Sequence, residues 1–225
     1  MVEVSVIGVD VSKRVFQVHG AAADGSVVFR KKLSRPQFVQ FLEDHPRCIV
    51  AFEACGSSHH WGRHLQARGF EVRLIPPIYV KPFVKRHKTD AADAEAITEA
   101  ALRPTMRYVA VKSEGQQSQA MAYRMRDMLV RQRTQLVNAL RGHLAEFGVI
   151  APKGFVHLGK LIAAMEDEDT DLPELVRDLA RRQIEQIEAL TRAIEDQDKT
   201  LRQITADETT AALLRTIPGV GPITA

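Results

Sequence analysis

Apolar and polar positions change in short runs over roughly the first hundred residues, then settle into a helical period. The run Val4–Val9 is β-rich and mostly apolar, which predicts a buried strand with Asp10 at or near its end. Val15–His19 and Val27–Leu33 follow as strands, the latter reached through an Asp-Gly turn in AADGS. SRPQFVQFLEDH reads as a helix, with Ser34 as N-cap, Pro36 in the first turn and Gln37 as capping-box partner. CIVAFEA is a fourth strand, and it ends on a second carboxylate, Glu53. A helix through His60–Arg68 stops at Gly69, FEVRLI is a fifth strand closed by Pro76-Pro77, and DAADAEAITEAAL is an alanine-rich helix. Three hairpin-linked strands followed by crossover helices, β-β-β-α-β-α-β-α, imply an α/β fold with a mixed sheet and flanking helices.

Beyond this point the pattern is long helix. Met121, Met125, Met128, Leu136, Leu140, Leu144 and Phe147 recur at spacings close to three and four between Glu114 and Phe147. A second long helix opens at TDLPE, with Asp171 as cap, Pro173 in the first turn and Glu174 closing a capping box. Its seam of Ile187, Leu190, Ile194, Leu201 and Ile204, broken by Gln197, keeps a coiled-coil period. At about 1.5 Å per residue each helix exceeds roughly 40 Å. The expectation is a helical coiled-coil region, paired as an antiparallel hairpin within the chain or as a homodimer (or higher homo-oligomer) between chains. LLRTIPGVGPITA then matches the start of a helix-hairpin-helix, in which Gly219 and Gly221 let backbone N–H groups approach a DNA phosphate. A plain Gly/Pro turn between packing helices fits it equally well. The expected division is a sheet domain over 1–110, the helical region over 111–206, and the start of a further domain over 207–225.

Composition narrows the classes. With 225 residues the chain holds one substantial core plus extensions, or two small domains; 45% of it is hydrophobic, 26% charged and 6% aromatic. No apolar stretch reaches the roughly 18 residues that span a membrane, and charges from Glu3 onward disrupt any signal peptide. Two cysteines, Cys48 and Cys55, fit a reducing, cytoplasmic setting without a disulfide framework. The net charge of +3 conceals local asymmetry. Lys81, Lys85, Arg86 and Lys88 cluster before Asp90, Lys13 follows the first strand, and Arg124, Arg126, Arg131, Arg133 and Arg141 load the first long helix, whereas MEDEDTDLPE is acidic. Such basic surfaces point to a polyanion, here nucleic acid.

The candidate chemistry lies in four carboxylates. Asp10 and Glu53 end strands that this topology allows to be neighbours, and Asp90 and Asp93, three apart, share one face of the following helix. Two charges about 4 Å apart repel by roughly 4 kcal/mol at an effective dielectric near 20. Mg²⁺ or Mn²⁺ relieves that repulsion, and two such ions clamp the attacking and leaving oxygens of a phosphodiester. The blander readings are a turn aspartate at Asp10 and a helix-capping Asp90. The combination is the RNase H-like layout, and the DxxD pair is similar to that of Holliday-junction resolvases. Other constellations are weaker. Cys55, His59 and His60 lack the second pair that zinc requires, no serine sits in a GxSxG context, and no phosphate-binding glycine loop is present.

GVDVSK, FEACGSSHHW, KTDAADA, a long helical middle and IPGVGPITA together resemble the DEDD transposases of bacterial insertion sequences, the IS110 family. The resemblance implies a RuvC-like N-terminal domain whose Asp, Glu, Asp, Asp correspond to Asp10, Glu53, Asp90 and Asp93. It further implies a coiled coil, a C-terminal domain with a catalytic serine, DNA transposition, and in some branches a structured guide RNA. The chain ends where that C-terminal domain is expected to begin, so the serine has no counterpart in it. The alternatives are a non-enzymatic nucleic-acid-binding and dimerisation fragment, or a Holliday-junction-resolvase-like nuclease.

Overall fold

The computed structural model describes residues 3–85, 89–206 and 208–224. They form two compact units, Met1–Gly115 and Gln116–Ala225.

The first unit is built on a five-stranded sheet in the order β3-β2-β1-β4-β5, with β1 at Val6–Val11, β2 at Val15–Ala21, β3 at Val27–Ser34, β4 at Ile49–Glu53 and β5 at Glu71–Ile75. The two hairpins are antiparallel, whereas β4 runs parallel to both β1 and β5. This is the α/β mixed sheet that the element order implies, and it is consistent with the RuvC-like domain that the resemblance implies. The first strand starts and ends two residues later than its apolar run suggests, so Asp10 lies inside it.

Side chains alternate across the sheet. Ile7, Val9, Val18, Val50, Phe52 and Leu74 face one core, which helices α1 (Arg35–Glu43) and α2 (Ser58–Gln66) cover with Phe38, Leu42, Trp61 and Leu65. The helix starts and stops follow local rules. The Gln37 side chain accepts from the Ser34 amide at 2.9 Å. Gly69, at φ 82°, ends α2 in a Schellman turn, with Phe70 N–H donating to the Leu65 carbonyl and Gly69 N–H to that of Gln66.

On the opposite face Val6, Ala51 and Ile75 meet α4 (Asp90–Ala101) through Ala96, Ile97, Ala100 and Ala101. The short α3 (Pro77–Val80) adds Val80 to the same cluster.

The second unit contains α5, which begins at Glu114 and runs to Ala145, then α6 (Leu158–Glu166), α7 (Glu174–Ala206) and α8 (Thr209–Leu214). Its core joins Val137, Leu140 and Leu144 of α5 to Leu161 and Met165 of α6 and to Ala180, Ile184 and Ile187 of α7. Helices α5 and α7 run antiparallel. Gln183 donates to the Leu136 carbonyl at 3.0 Å and Gln197 to that of Ala122 at 3.5 Å, so one sequence number rises as the other falls.

Two expectations are corrected in this unit, and one helix is new. The seam of α7 buries Ile187, Ile194 and Leu201 within the single chain, the arrangement of the intramolecular alternative. On α5 the buried positions are Leu129, Val137, Leu140 and Leu144, while Met121, Met125, Met128 and Phe147 are exposed. Helix α7 begins at Glu174, and the Pro173 carbonyl accepts from Val176 and Arg177, so the start lies beyond the expected Asp171 cap. Helix α6, which the periodicity does not predict, buries Leu158, Leu161 and Met165.

Candidate metal centre

Three elements deliver the carboxylates, two of them strands. On β1 the residues facing α4 are Val6, Gly8 and Asp10; on β4 they are Ile49, Ala51 and Glu53. The parallel register pairs Val9 with Phe52, and the next step along it brings Asp10 beside Glu53. Both lie at the C-terminal ends of adjacent parallel strands, the usual place for ligand sites in such sheets.

Helix α4 supplies the other two. Asp90, Asp93, Ala94, Ile97, Thr98 and Ala101 form one stripe at helical spacing, apolar toward the C-terminus and acidic in the first turn. The side chain of Thr89 caps the helix by accepting from the Ala92 amide at 3.3 Å, so the capping role belongs to Thr89 rather than to Asp90. First-turn carboxylates are favoured by the helix dipole.

Oxygens of Asp10, Asp90 and Asp93 lie within 4.8 Å of one another; Asp10 and Asp93 are half-buried and Asp90 is exposed. Glu53 borders the same cavity, of about 610 Å³, with Asp10, Asp93, Pro77, Lys81 and Val84. Oxygens on opposite sides of a Mg²⁺ ion are separated by about 4.2 Å, twice its usual bond length of roughly 2.1 Å. An upper bound of 4.8 Å on the separation of these oxygens is of the same size as that span. Hard, anionic oxygens in this number suit Mg²⁺ or Mn²⁺ and suit zinc poorly.

Two supports of the site carry no obvious sequence signal. Gly8 lies directly beneath α4 at Ala94 and Thr98. After Glu53 the chain turns through Cys55–Ser58, where the buried Ser58 hydroxyl donates to the Cys55 carbonyl at 2.9 Å and accepts its amide at 3.0 Å. His59 is also structural: it is buried and accepts from the Lys112 amide at 3.1 Å.

The expected nucleic-acid contacts divide sharply. Lys81 lines the carboxylate cavity, and Lys13 is exposed in the turn after β1. Lys85 instead pairs with Glu95 at 2.5 Å, and Arg30 approaches the same carboxylate at 3.1 Å. The Lys85 hydrogen bond holds the Glu95 carboxyl below its ordinary value and lifts the Lys85 ammonium above its own. Arg86 and Lys88 lie outside the described residues.

In the second unit Arg126 is bound to Asp198, Arg131 pairs with Asp127 at 2.7 Å, and Arg133 stacks 4.0 Å from the Phe155 ring centre. Arg124 is exposed and donates to the Ala120 carbonyl, while Arg141 holds the carbonyls of Ala151 and Gly154. Gly219, at φ 86°, and Gly221 lie in turns after α8.

The DEDD_Tnp_IS110 family model, described as a transposase, matches residues 7–149. A protein of Sinorhizobium fredii named as a transposase (y4pF/y4sB) is 47% identical over 96% of the chain and 56% of its own length. The transposase for insertion sequence element IS1328 of Yersinia enterocolitica is 41% identical over 100% of the chain and 67% of its own length. A family 20 transposase of Pseudomonas aeruginosa, so named, is 43% identical over 97% and 65%. The chain thus spans between about half and two thirds of the relatives it matches.

Proposed function

Since the chain belongs to the DEDD transposase family of bacterial insertion sequences, we propose that its first unit binds a divalent metal and acts on DNA phosphodiesters during transposition. The observation that carries this reading is the convergence of Asp10, Asp90 and Asp93 within 4.8 Å, with Glu53 on the rim of the same cavity. Asp10, Glu53, Asp90 and Asp93 would hold Mg²⁺ or Mn²⁺. When bound, the ion neutralises charge on, and orients, the oxygens that attack and leave phosphorus.

The chain's own groups supply the rest. Lys81 attracts the phosphate backbone to a cavity whose other charged residues, among the described ones, are acidic, and Lys13 offers a second charge beside the strand that bears Asp10. The rigid sheet fixes Asp10 and Glu53, so the site depends little on loop ordering. Family membership also supports a structured guide RNA as a second partner, and joining several DNA ends requires more than one copy of the protein. Burial of the α7 seam within one chain argues for a different surface for that assembly.

Cleavage of branched DNA by the 225-residue chain tests this. Activity is expected with Mg²⁺ or Mn²⁺ and is expected to be lost on Glu53→Gln. Equal cleavage by wild type and Glu53→Gln would contradict the assignment.

A further inference from the structure

The segment Pro77–Val84 has two sides. Pro77, Lys81 and Val84 wall the carboxylate cavity, while Tyr79 and Phe83 face a second cavity of about 430 Å³ with Arg103, Met106 and Arg107. The second cavity has the chemistry of a base-stacking site. Tyr79 is 41% exposed, which leaves ring surface open to a ligand. The Arg103 guanidinium lies 5.5 Å from the Phe83 ring centre, and Arg107 is exposed at the rim. Arg103 also meets Glu99 at 3.7 Å, a surface helical pair that leaves its planar face in use against Phe83. None of the described residues that line the cavity is acidic.

We propose that this second cavity binds an unstacked base of the DNA strand whose phosphate enters the carboxylate centre, with Tyr79 as the stacking platform, the Arg103–Phe83 pair as the cavity wall and Arg107 holding the adjoining backbone. The inference rests on the proposed function, since it takes the strand to be present at the metal site. Aromatic faces accept any base, and arginine adds both charge and planar stacking. Position favours nucleic acid over a protein partner. A helix with its side chains is about 10–12 Å across, so the two cavities, on opposite sides of one short helical segment, are separated by a few nucleotide steps of roughly 3.4 Å. Lys81, between Tyr79 and Phe83 in sequence, puts positive charge on the carboxylate side of the same segment.

Single-stranded DNA carrying 2-aminopurine, and the matching duplex, provide the probe, with Ca²⁺ present to neutralise the carboxylates. Wild type is expected to bind the single strand and change its base fluorescence. Tyr79→Ala should weaken single-strand binding about tenfold and abolish that change, with duplex binding unaltered. Tyr79→Phe should behave as wild type, and Arg107→Ala should weaken binding and reduce its salt dependence. Unchanged single-strand affinity in Tyr79→Ala, equal losses on single strand and duplex, or no binding by wild type would each overturn the proposal. The carboxylate assignment is read separately, from stabilisation by Mg²⁺ without DNA, so the two failures are distinguishable.

Discussion

Thr98 of α4 lies so close over Gly8 of β1 that a β-carbon at Gly8 would come 2.1 Å from the Thr98 hydroxyl oxygen and 2.5 Å from the Ala94 carbonyl. The same hydroxyl reaches the His19 carbonyl at 3.2 Å, and His19 is the strand partner of Gly8. Asp10 follows Gly8 on one strand face, and Asp93 precedes Ala94 on the helix. The absence of a side chain at position 8 therefore sets how near the helical carboxylates come to the strand carboxylate.

Gly8→Ala is expected to push α4 outward and destabilise the first unit by about 3 kcal/mol, the upper end of the overpacking range. It should also weaken stabilisation by Mg²⁺. Thr98→Ala in the same chain should restore only part, because the Ala94 backbone oxygen remains in the way. Thermal melts with and without metal read both effects.

The two lysines should separate in a salt titration of DNA binding. Lys81→Ala removes a cation from the cavity wall and should lower the slope of log affinity against log salt by about 1. Lys85→Ala leaves the slope nearly unchanged, since that ammonium is engaged with Glu95. Equal slopes in the two variants would count against this division.

Much of the first unit was legible because its signals are local. Alternating apolar runs, the Asp-Gly turn and the Ser34–Gln37 cap each act within a few residues, and the strand-end positions of Asp10 and Glu53 then follow from topology. What was not legible depends on distant partners. The fit of Gly8 to Thr98 spans ninety positions of chain. The Arg126–Asp198 pair is separated by 72 residues and turns an expected nucleic-acid contact into a clamp between helices. On α5 the methionines match a helical period as well as the true stripe does. Only the partner helix decides that Leu129, Val137 and Leu140 face inward and Met121, Met125 and Met128 outward.

Ile187 tests the intramolecular hairpin. It is fully buried between α7 and its neighbours, so Ile187→Asp places a charge in an apolar core. The expected cost exceeds about 3 kcal/mol, with loss of cooperative melting in the helical unit. A folded, half-mass species in light scattering would show instead that the seam joins two chains.

Acid stability should carry a signature of His19. Burial holds its imidazole below the ordinary value, with nearby Arg30 acting in the same direction and Glu95 opposing. The unfolded chain takes up this proton as pH falls through about 6.5, while the folded chain resists it. Stability from the neutral ring is thus present above that pH and is lost as pH falls toward the lowered folded value. His19→Gln should flatten this part of the stability profile; an unchanged slope would assign it to other groups.

Metal titration of the folded chain, followed by its melting temperature, bears most directly on the four-carboxylate centre. Binding to the folded state alone stabilises by RT ln(1 + [L]/Kd), about 2.7 kcal/mol at a hundredfold excess over Kd. Mg²⁺ or Mn²⁺ should raise the melting temperature of wild type in a saturable way, and Asp10→Asn and Asp93→Asn should each remove most of the increment. Wild type and Asp10→Asn responding equally to either ion would contradict the account.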